Sequence, residues 1–246
     1  METKTARTGF LSGNALKLIA ALSMTIDHIG VVFFPRTAWL RIVGRLAFPI
    51  FAFMIAEGCR YTRSRVRYFF TIFALAAVCQ GVYWFAAGDT YLSVLVTFSL
   101  AILVIYALQS CKEALAVGHR PRTVLSATAL IGAVALVWYL NQILTIDYGF
   151  WGCMLPVFAS TLQPRRDGRW KPLPWMGNRT HVLCLGAGLL CLYQSLGGLQ
   201  IWSVLSLPLL LCYSGNRGKG DLKYFFYIFY PAHLAILQGL AWLLAA

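Results

Sequence analysis

Five ionisable residues stand inside stretches of the sequence that are otherwise apolar: Asp27, His28, Arg45, Glu57 and His233. An ionisable group near the centre of a membrane costs about 2.5–3.5 kcal/mol on insertion scales, so each is a candidate functional group. An imidazole is the usual general base for activating a hydroxyl or an amine, which makes His28 a candidate base. A packing hydrogen bond and a proton relay are the alternative interpretations.

Asp27 and Arg45 are expected at matching depth in two neighbouring helices. Asp27 lies seven residues before the end of the first apolar run at residue 34, about 10 Å at 1.5 Å per residue. Arg45 lies five residues into the next run, about 7–8 Å deep, and the short connection makes the two helices neighbours. A buried ion pair that stabilises this hairpin is the simplest interpretation. His28 points about 100° away from Asp27, so it can face another interhelical space within the same polar site.

A second group of charges follows the second apolar run. After Glu57 come four arginines, Arg60, Arg63, Arg65 and Arg67. Such a run most commonly marks the cytoplasmic side of a membrane and meets anionic lipid headgroups. Guanidinium groups also bind phosphates, so a phosphorylated cytoplasmic ligand is the alternative, although no glycine-rich phosphate loop accompanies them.

The elements that must hold these groups are apolar helices. Of the 246 residues, 59% are hydrophobic and 12% charged, whereas soluble domains average about a quarter charged, so most of the chain does not face water. The net charge of +13 comes from 21 Lys and Arg residues in short clusters between apolar runs, which argues against a nucleic-acid-binding face. The seven cysteines show neither a CxxC motif nor a metal-like spacing, so we expect no metal.

We expect an all-α, polytopic transmembrane bundle of about nine spans, within a range of eight to ten, that forms one integral membrane domain over residues 1–246. The predicted spans are residues 14–34, 40–59, 66–87, 91–110, 123–143, 148–162, 180–198, 199–214 and 224–245. A span needs about 20 residues to cross about 30 Å of hydrocarbon, and the sixth and eighth segments are shorter. The pair around Gly197 and Gly198 could instead be one broken segment or a re-entrant hairpin.

The basic residues predict the orientation. The N-terminal tail carries 2 Lys or Arg residues, and the connections after the second, fourth, sixth and eighth spans carry 4, 3, 5 and 3. The connections after the third, fifth and seventh spans carry none. Positive residues are retained on the cytoplasmic side, so the N-terminus is expected in the cytoplasm and, with an odd number of spans, the C-terminus outside.

Four segments of the sequence resemble the TraX family. LKLIAALSMTIDHIG at residues 16–30 and GRLAFPIFAFMIAEG at residues 44–58 resemble its two N-terminal signatures, and FYPAHL at residues 229–234 resembles its C-terminal one. DYGFWG at residues 147–152 is a weaker match. The resemblance follows the family's order through most of the chain.

That resemblance implies an acetyltransferase. The family's namesake acetylates the N-terminus of pilin, and TraX proteins are similar to the wider transmembrane acyltransferases, including the lysosomal heparan acetyltransferase, which use acetyl-CoA and a membrane histidine. The resemblance implies that His28 is the general base, that Asp27 orients it, and that Arg45 holds a carboxylate or stabilises an oxyanion. The implied donor is cytoplasmic acetyl-CoA, and the implied acceptor is an amine or hydroxyl of an extracytoplasmic protein or glycan. The implied location is the bacterial cytoplasmic membrane.

Further residues fall at motif positions of the family or in the basic run beside them. Substrate- or cofactor-binding roles are expected for Glu57, Arg60, Arg63, Arg65, Asp147, Tyr148, Tyr230 and His233. Two other functions stay open: a proton-coupled transporter that uses the intramembrane His and Asp residues, and a non-catalytic membrane assembly factor. A cytoplasmic pocket that ends near His28 and is lined by the arginines after Glu57 would favour the acetyltransferase over the transporter.

Overall fold

The computed structural model describes residues 9–87, 91–173 and 176–245, and these residues form helices and connections, with two isolated β-bridges and no strand. The α-helices are α1 Gly13–Val32, α2 Ala38–Gly44, α3 Ala47–Tyr61, α4 Arg65–Ala87, α5 Val94–Val117, α6 Arg120–Ile143, α7 Gly149–Ser160, α8 Asn178–Leu196, α9 Ser206–Leu211 and α10 Lys223–Ala245. A 3-10 helix, Gly198–Leu205, lies between α8 and α9. The expected all-α class is confirmed.

Within the described part of the chain, six segments have the length and composition of membrane-spanning helices. They lie in α1, in α2 and α3 together, and in α4, α5, α6 and α10, and each contains 20–24 residues. At 1.5 Å per residue such a segment is about 30–36 Å long, enough to cross the hydrocarbon of a bilayer. Ser12 caps α1, where its hydroxyl accepts a hydrogen bond from the Ala15 amide at 3.2 Å. The chain is therefore a multi-helix membrane protein.

The second predicted span is interrupted. The sequence predicts one helix over residues 40–59, but α2 ends at Gly44 and α3 begins at Ala47. Pro49 explains the interruption, because it has no N–H to bond the carbonyl of Arg45 four residues earlier. Arg45 therefore lies at the junction of the two helices.

Three of the nine predicted spans correspond to shorter or more polar segments. α7 has 12 residues, the 3-10 helix has 8 and α9 has 6. α8 has 19 residues but begins with the polar sequence Asn-Arg-Thr-His. Helix length and composition alone do not establish these three as crossings.

Polar contacts mark two ends of the bundle. We call the end that contains residues 27, 28, 45 and 147 the histidine end, and the end that contains residues 57, 112, 163 and 213 the glutamate end. α7 extends between them beside α5. The Thr97 hydroxyl near the start of α5 donates to the Asp147 carbonyl at 2.7 Å, just before α7. Lys112, near the end of α5, donates from Nζ to the Ser160 carbonyl at 2.8 Å, where α7 ends.

The centre of the bundle is α3, which packs against α1, α5 and α7. Its residues Ile50, Ala52, Phe53 and Ala56 are fully buried. α6 lies at the periphery, where most of its side chains are partly or fully exposed and Val137 is buried. Because α3 is central, polar residues at its two ends lie inside the protein rather than at its lipid-facing surface.

Candidate active site

The two membrane histidines meet although 205 residues separate them. His28 lies on α1 and His233 on α10, and Nδ1 of His28 is 3.0 Å from Nε2 of His233. Their rings are nearly parallel, with an interplanar angle of 11°. His233 is buried, and its Nδ1 lies 2.9 Å from the carbonyl oxygen of Phe229, one turn earlier. Sequence reasoning named both histidines but not this contact.

These hydrogen bonds determine the tautomer of each neutral ring. A carbonyl oxygen only accepts, so Nδ1 of His233 carries a hydrogen that it donates to Phe229, and its Nε2 is an acceptor. Nδ1 of His28 must then donate to that nitrogen, which leaves the lone pair of His28 on Nε2. Among the described residues no hydrogen bond to this Nε2 is present. The pair therefore presents a free imidazole base.

Asp27 contacts two arginines rather than His28. Its Oδ1 lies 3.3 Å from Nε of Arg41 and 3.5 Å from Nη2 of Arg45. Nη1 of Arg45 also donates to Oε1 of Gln200 at 3.3 Å. The expectation that Asp27 orients His28 differs from this geometry, because adjacent helical residues point about 100° apart and so face different neighbours. The partner histidine, not the aspartate, orients His28.

Arg41 and Gln200 belong to this cluster although the sequence analysis gave them no role. Arg41 had a readable signal, because it precedes Arg45 by four residues, the spacing of neighbours on one helix face. Gln200 lies in the 3-10 helix, and no local pattern relates it to Arg45. Gly44 permits the close approach, since a Cβ at this position would lie 2.3 Å from Cβ of Asp27.

Asp147 and Tyr148 are held by contacts of their own at the histidine end. The Tyr91 hydroxyl donates to Oδ1 of Asp147 at 2.5 Å, and burial raises the pKa of the Asp147 carboxyl to about 6. Tyr148 has a left-handed backbone (φ 60°), and its ring stacks on Phe48 with centroids 3.8 Å apart. These contacts fix the connection between α6 and α7. Among the described residues neither side chain contacts His28.

A cavity of about 600 Å³ lies between α1, α3, α4 and α10. Lys17, Arg166 and Arg217 line it near the glutamate end, and we call these three residues the cationic mouth. They come from α1, from the connection after α7 and from the connection after α9. Arg217 also pairs with Asp221. Three separate segments thus place positive charge at one opening.

The other end of the cavity lies next to the histidine pair. Its lining includes Met24, one turn before His28, and Phe229 and Tyr230 on α10. The Phe229 ring stacks on the His233 ring with centroids 5.0 Å apart, and the Tyr230 ring meets it edge-on at 5.4 Å. The wall between the two ends is mostly apolar. The cavity therefore extends from the cationic mouth through a largely apolar interior to the rings that pack on His233, and neither histidine is among its lining residues.

Glu57 lies in the cavity wall as a buried and bonded carboxylate. Its Oε1 accepts from Nε2 of Gln163 at 2.8 Å, and its Oε2 accepts from the Tyr213 hydroxyl at 3.2 Å. Nη1 of Arg60 lies 3.5 Å from Oε1. These bonds join α3 to the connections after α7 and α9, so the carboxylate stabilises the cavity wall near the cationic mouth.

The expected phosphate-binding arginines do not line the cavity. Arg60 pairs with Glu57, and Arg63 is exposed on the connection before α4. Arg65 turns toward α5, where its Nη2 donates to Oε1 of Gln109 at 3.1 Å. The cationic mouth supplies the positive charge of the cavity lining instead, and phosphate binding by these three arginines stays a prediction.

Together these features define a class, a helical membrane protein in which a largely apolar cavity with a cationic mouth extends to the side chains that pack on a histidine pair. The profile of the TraX protein family matches residues 12–241, and the chain belongs to the TraX family.

Two relatives match most of the chain. It is 27% identical over 243 residues to the probable fimbrial assembly protein FimC, serogroup H1, of Dichelobacter nodosus, a match that covers 90% of this chain and 92% of that protein. It is 24% identical over 238 residues to protein TraX of Escherichia coli, with 92% and 86% covered. No solved structure matches the chain. The resemblance seen in the sequence motifs is thus confirmed at the level of the family.

Proposed function

We propose that this protein is a transmembrane acetyltransferase that moves an acetyl group from acetyl-CoA to an amine or hydroxyl of an extracytoplasmic protein or glycan. The observation that carries the proposal is the cavity that leads from the cationic mouth to Phe229 and Tyr230, whose rings pack on the histidine pair. Membership of the TraX family supports a broader statement, since it suggests a role in pilin modification or assembly.

The order of groups along the cavity suits acetyl-CoA. Lys17, Arg166 and Arg217 would bind the donor's phosphates through charge-assisted hydrogen bonds. The long arm between the phosphates and the thioester would lie along the apolar wall and bring the acetyl group next to His28. The same wall would exclude water and so limit hydrolysis of the thioester.

His28 would act as the general base. Its Nε2 would take the proton from the acceptor amine or hydroxyl as the acceptor nitrogen or oxygen forms a bond to the acetyl carbonyl carbon. The carbon–sulfur bond then breaks, and His28 returns the proton to the departing thiolate. The hydrogen bond from Nδ1 of His28 to His233 would hold the ring in place throughout. Arg45, in the neighbouring cluster with Asp27, would contribute positive charge beside the reacting groups.

We assign nine passes to the chain, with the N-terminus in the cytoplasm, as one domain of the bacterial cytoplasmic membrane. The clustering of basic residues at the glutamate end supports this orientation, because positive residues are retained on the cytoplasmic side. The donor would then enter from the cytoplasm. The acceptor would approach from the histidine end, so CoA would not have to cross the membrane.

A non-catalytic assembly factor is the second candidate. It is favoured by one observation, that the Dichelobacter nodosus relative is named a probable fimbrial assembly protein. This role needs no free base at Nε2 of His28. It predicts that removing the imidazole leaves the protein's function intact as long as the bundle folds.

The test is transfer of labelled acetyl groups from acetyl-CoA to envelope extract by the purified full chain. Wild type should transfer label, and His28→Ala should lose about 100-fold or more of the rate. His119→Ala is the matched control, because His119 is an exposed residue that caps the start of α6 and takes no part in the contact between His28 and His233. Saturable CoA binding by His28→Ala would show that its cavity is intact. Absence of transfer in wild type, or equal transfer in wild type and His28→Ala, would contradict the proposal.

A further inference from the structure

The cluster around Asp27 has a surplus of positive charge. Arg41 and Arg45 share one oxygen of this carboxylate, so the three side chains together carry a formal charge of +1. The distances, 3.3 and 3.5 Å, are longer than the roughly 2.7–2.9 Å of a tight charge-assisted bond. Asp147, another acid at this end, bonds a tyrosine hydroxyl and contacts neither guanidinium among the described residues. The surplus charge is therefore not neutralised by these neighbours.

The cluster also has a surplus of buried donors. Nε of Arg45 and Nε2 of Gln200 are buried and have no hydrogen-bond acceptor among the residues that the structure describes. A buried donor without an acceptor destabilises the folded protein. The Arg41 side chain is 30% exposed while that of Arg45 is 14% exposed, so the cluster can be reached past Arg41. Oxygen atoms of a bound group would satisfy these donors and balance the charge.

We propose that these four residues, Asp27, Arg41, Arg45 and Gln200, form an anion site that binds a singly charged group of the acceptor. The group would be a carboxylate or a phosphodiester, because guanidinium forks match the paired oxygens of both. The reaction part of this inference rests on the proposed function, whereas the anion binding does not.

The position of the anion site gives it a second effect. Asp27 and His28 are consecutive on α1, so an acceptor held at the anion site has its nucleophile near the base. The surplus positive charge of Arg41 and Arg45 also repels an ammonium group. An acceptor amine would therefore be favoured in its neutral, nucleophilic form, while an anion close to it would be attracted.

Anion binding is tested without acetyl transfer, on the full chain in detergent. N-acetylglycine is compared with its amide, and dimethyl phosphate with trimethyl phosphate, by the saturable rise in melting temperature. At least one charged probe should bind and its neutral partner should not, and the probe that binds identifies the carboxylate or the phosphodiester as the ligand. Arg41→Gln should weaken binding about tenfold or more, whereas Arg36→Gln, at an exposed position on the connection just before α2, should not.

Failure of folding is separated from loss of binding by a second variant. Arg41→Lys keeps the charge beside Asp27 but loses the planar fork, so it should fold and still bind the probe more weakly than wild type. Wild-type protein that binds neither anion, or Arg41→Gln protein that binds as wild type does, would overturn the anion site.

Acetyl transfer provides the second arm. In one pair of peptide acceptors the same position near the N-terminus is either glutamate or glutamine. In a second pair the acceptor carries either a phosphodiester or the matched neutral phosphotriester. A charged member should be acetylated about tenfold faster or more, and Arg41→Gln should remove the preference. Anion binding without any transfer would refute the acetyltransferase and leave the site standing. Acetyl transfer without charge preference and without anion binding would refute the anion site and leave the acetyltransferase standing.

Discussion

Replacement of His233 by alanine should lower turnover without changing the affinity for acetyl-CoA. In the proposed reaction His233 acts through His28, whose Nδ1 hydrogen it accepts, and so keeps the lone pair on Nε2. Loss of one such hydrogen bond corresponds to about 0.5–1.5 kcal/mol, and the released ring also rotates and populates its other tautomer. We expect kcat to fall about 10- to 100-fold, equivalent to about 1.4–2.7 kcal/mol, with KM for acetyl-CoA within about twofold of wild type.

His233→Gln is the companion variant that separates positioning from packing. The glutamine amide oxygen lies at about the position of the imidazole Nε2 and can accept the hydrogen from Nδ1 of His28. Its kcat should therefore exceed that of His233→Ala by about five- to tenfold. The assay is the initial rate of label transfer over a range of acetyl-CoA concentrations, with the melting temperature of every variant measured and His119→Ala as the control.

Two results on turnover would refute the tautomer argument. One is an equal loss of turnover in His233→Ala and His233→Gln at equal melting temperatures, and the other is unchanged turnover in His233→Ala. A raised KM with unchanged kcat would also contradict it, since that result would place His233 in donor binding. His28→Ala should lose about 100- to 10,000-fold, more than either His233 variant, because it removes the base itself.

Three further predictions follow from the cavity, the hairpin and the α6–α7 connection. Lys17→Gln should raise KM for acetyl-CoA about three- to tenfold with little change in kcat, and Arg122→Gln, which removes an exposed arginine outside the cavity lining, should not. Gly44→Ala should lower the free energy of unfolding by about 1–3 kcal/mol, measured by denaturation, because its methyl group would overlap Asp27. Because the pKa of Asp147 rises from 3.8 to about 6 on folding, its contribution to stability is largest below about pH 4 and is lost as the pH rises through about 6. The melting temperature of Asp147→Asn relative to wild type should therefore rise between pH 4 and pH 8, by the equivalent of at most about 3 kcal/mol, and a constant difference would contradict this assignment.

Depth along a helix was enough to anticipate part of the site. Asp27 and Arg45 lie on consecutive segments joined by a short connection, so counting residues from the connection places both side chains at one level. The interruption at Arg45 was also readable, since Pro49 cannot bond the carbonyl four residues earlier. Local sequence therefore carries the information for the first hairpin.

Long-range contacts could not be read in this way. The partner of His28 is 205 residues away, and only the packing of α10 against α1 and α4 brings it there. The cationic mouth illustrates the same limit, because Lys17, Arg166 and Arg217 come from three distant segments. None of them belongs to the arginine run that follows Glu57 in the sequence. A run of charges is a local signal, whereas a binding site assembles from residues that folding brings together.

The last prediction concerns α7 and the side of the membrane on which the chain ends. α7 has 12 residues and is about 18 Å long, shorter than the hydrocarbon thickness. Its flanking carbonyls nevertheless contact Thr97 and Lys112, which are 15 residues and about 22 Å apart along α5, so α7 extends most of the way beside a full-length span.

If α7 crosses, it and the six long segments make seven passes. If α8 also crosses, and the 3-10 helix together with α9 crosses back, the total is nine. Both numbers are odd, so the C-terminus lies on the side opposite the N-terminus, which is outside the cell under the proposed orientation. A phosphatase that is active only outside the cytoplasm should be active when fused after Ala246 and inactive when fused after Gly168. The reverse pattern at the C-terminus would mean that α7 does not cross, because six long segments alone return the chain to its starting side.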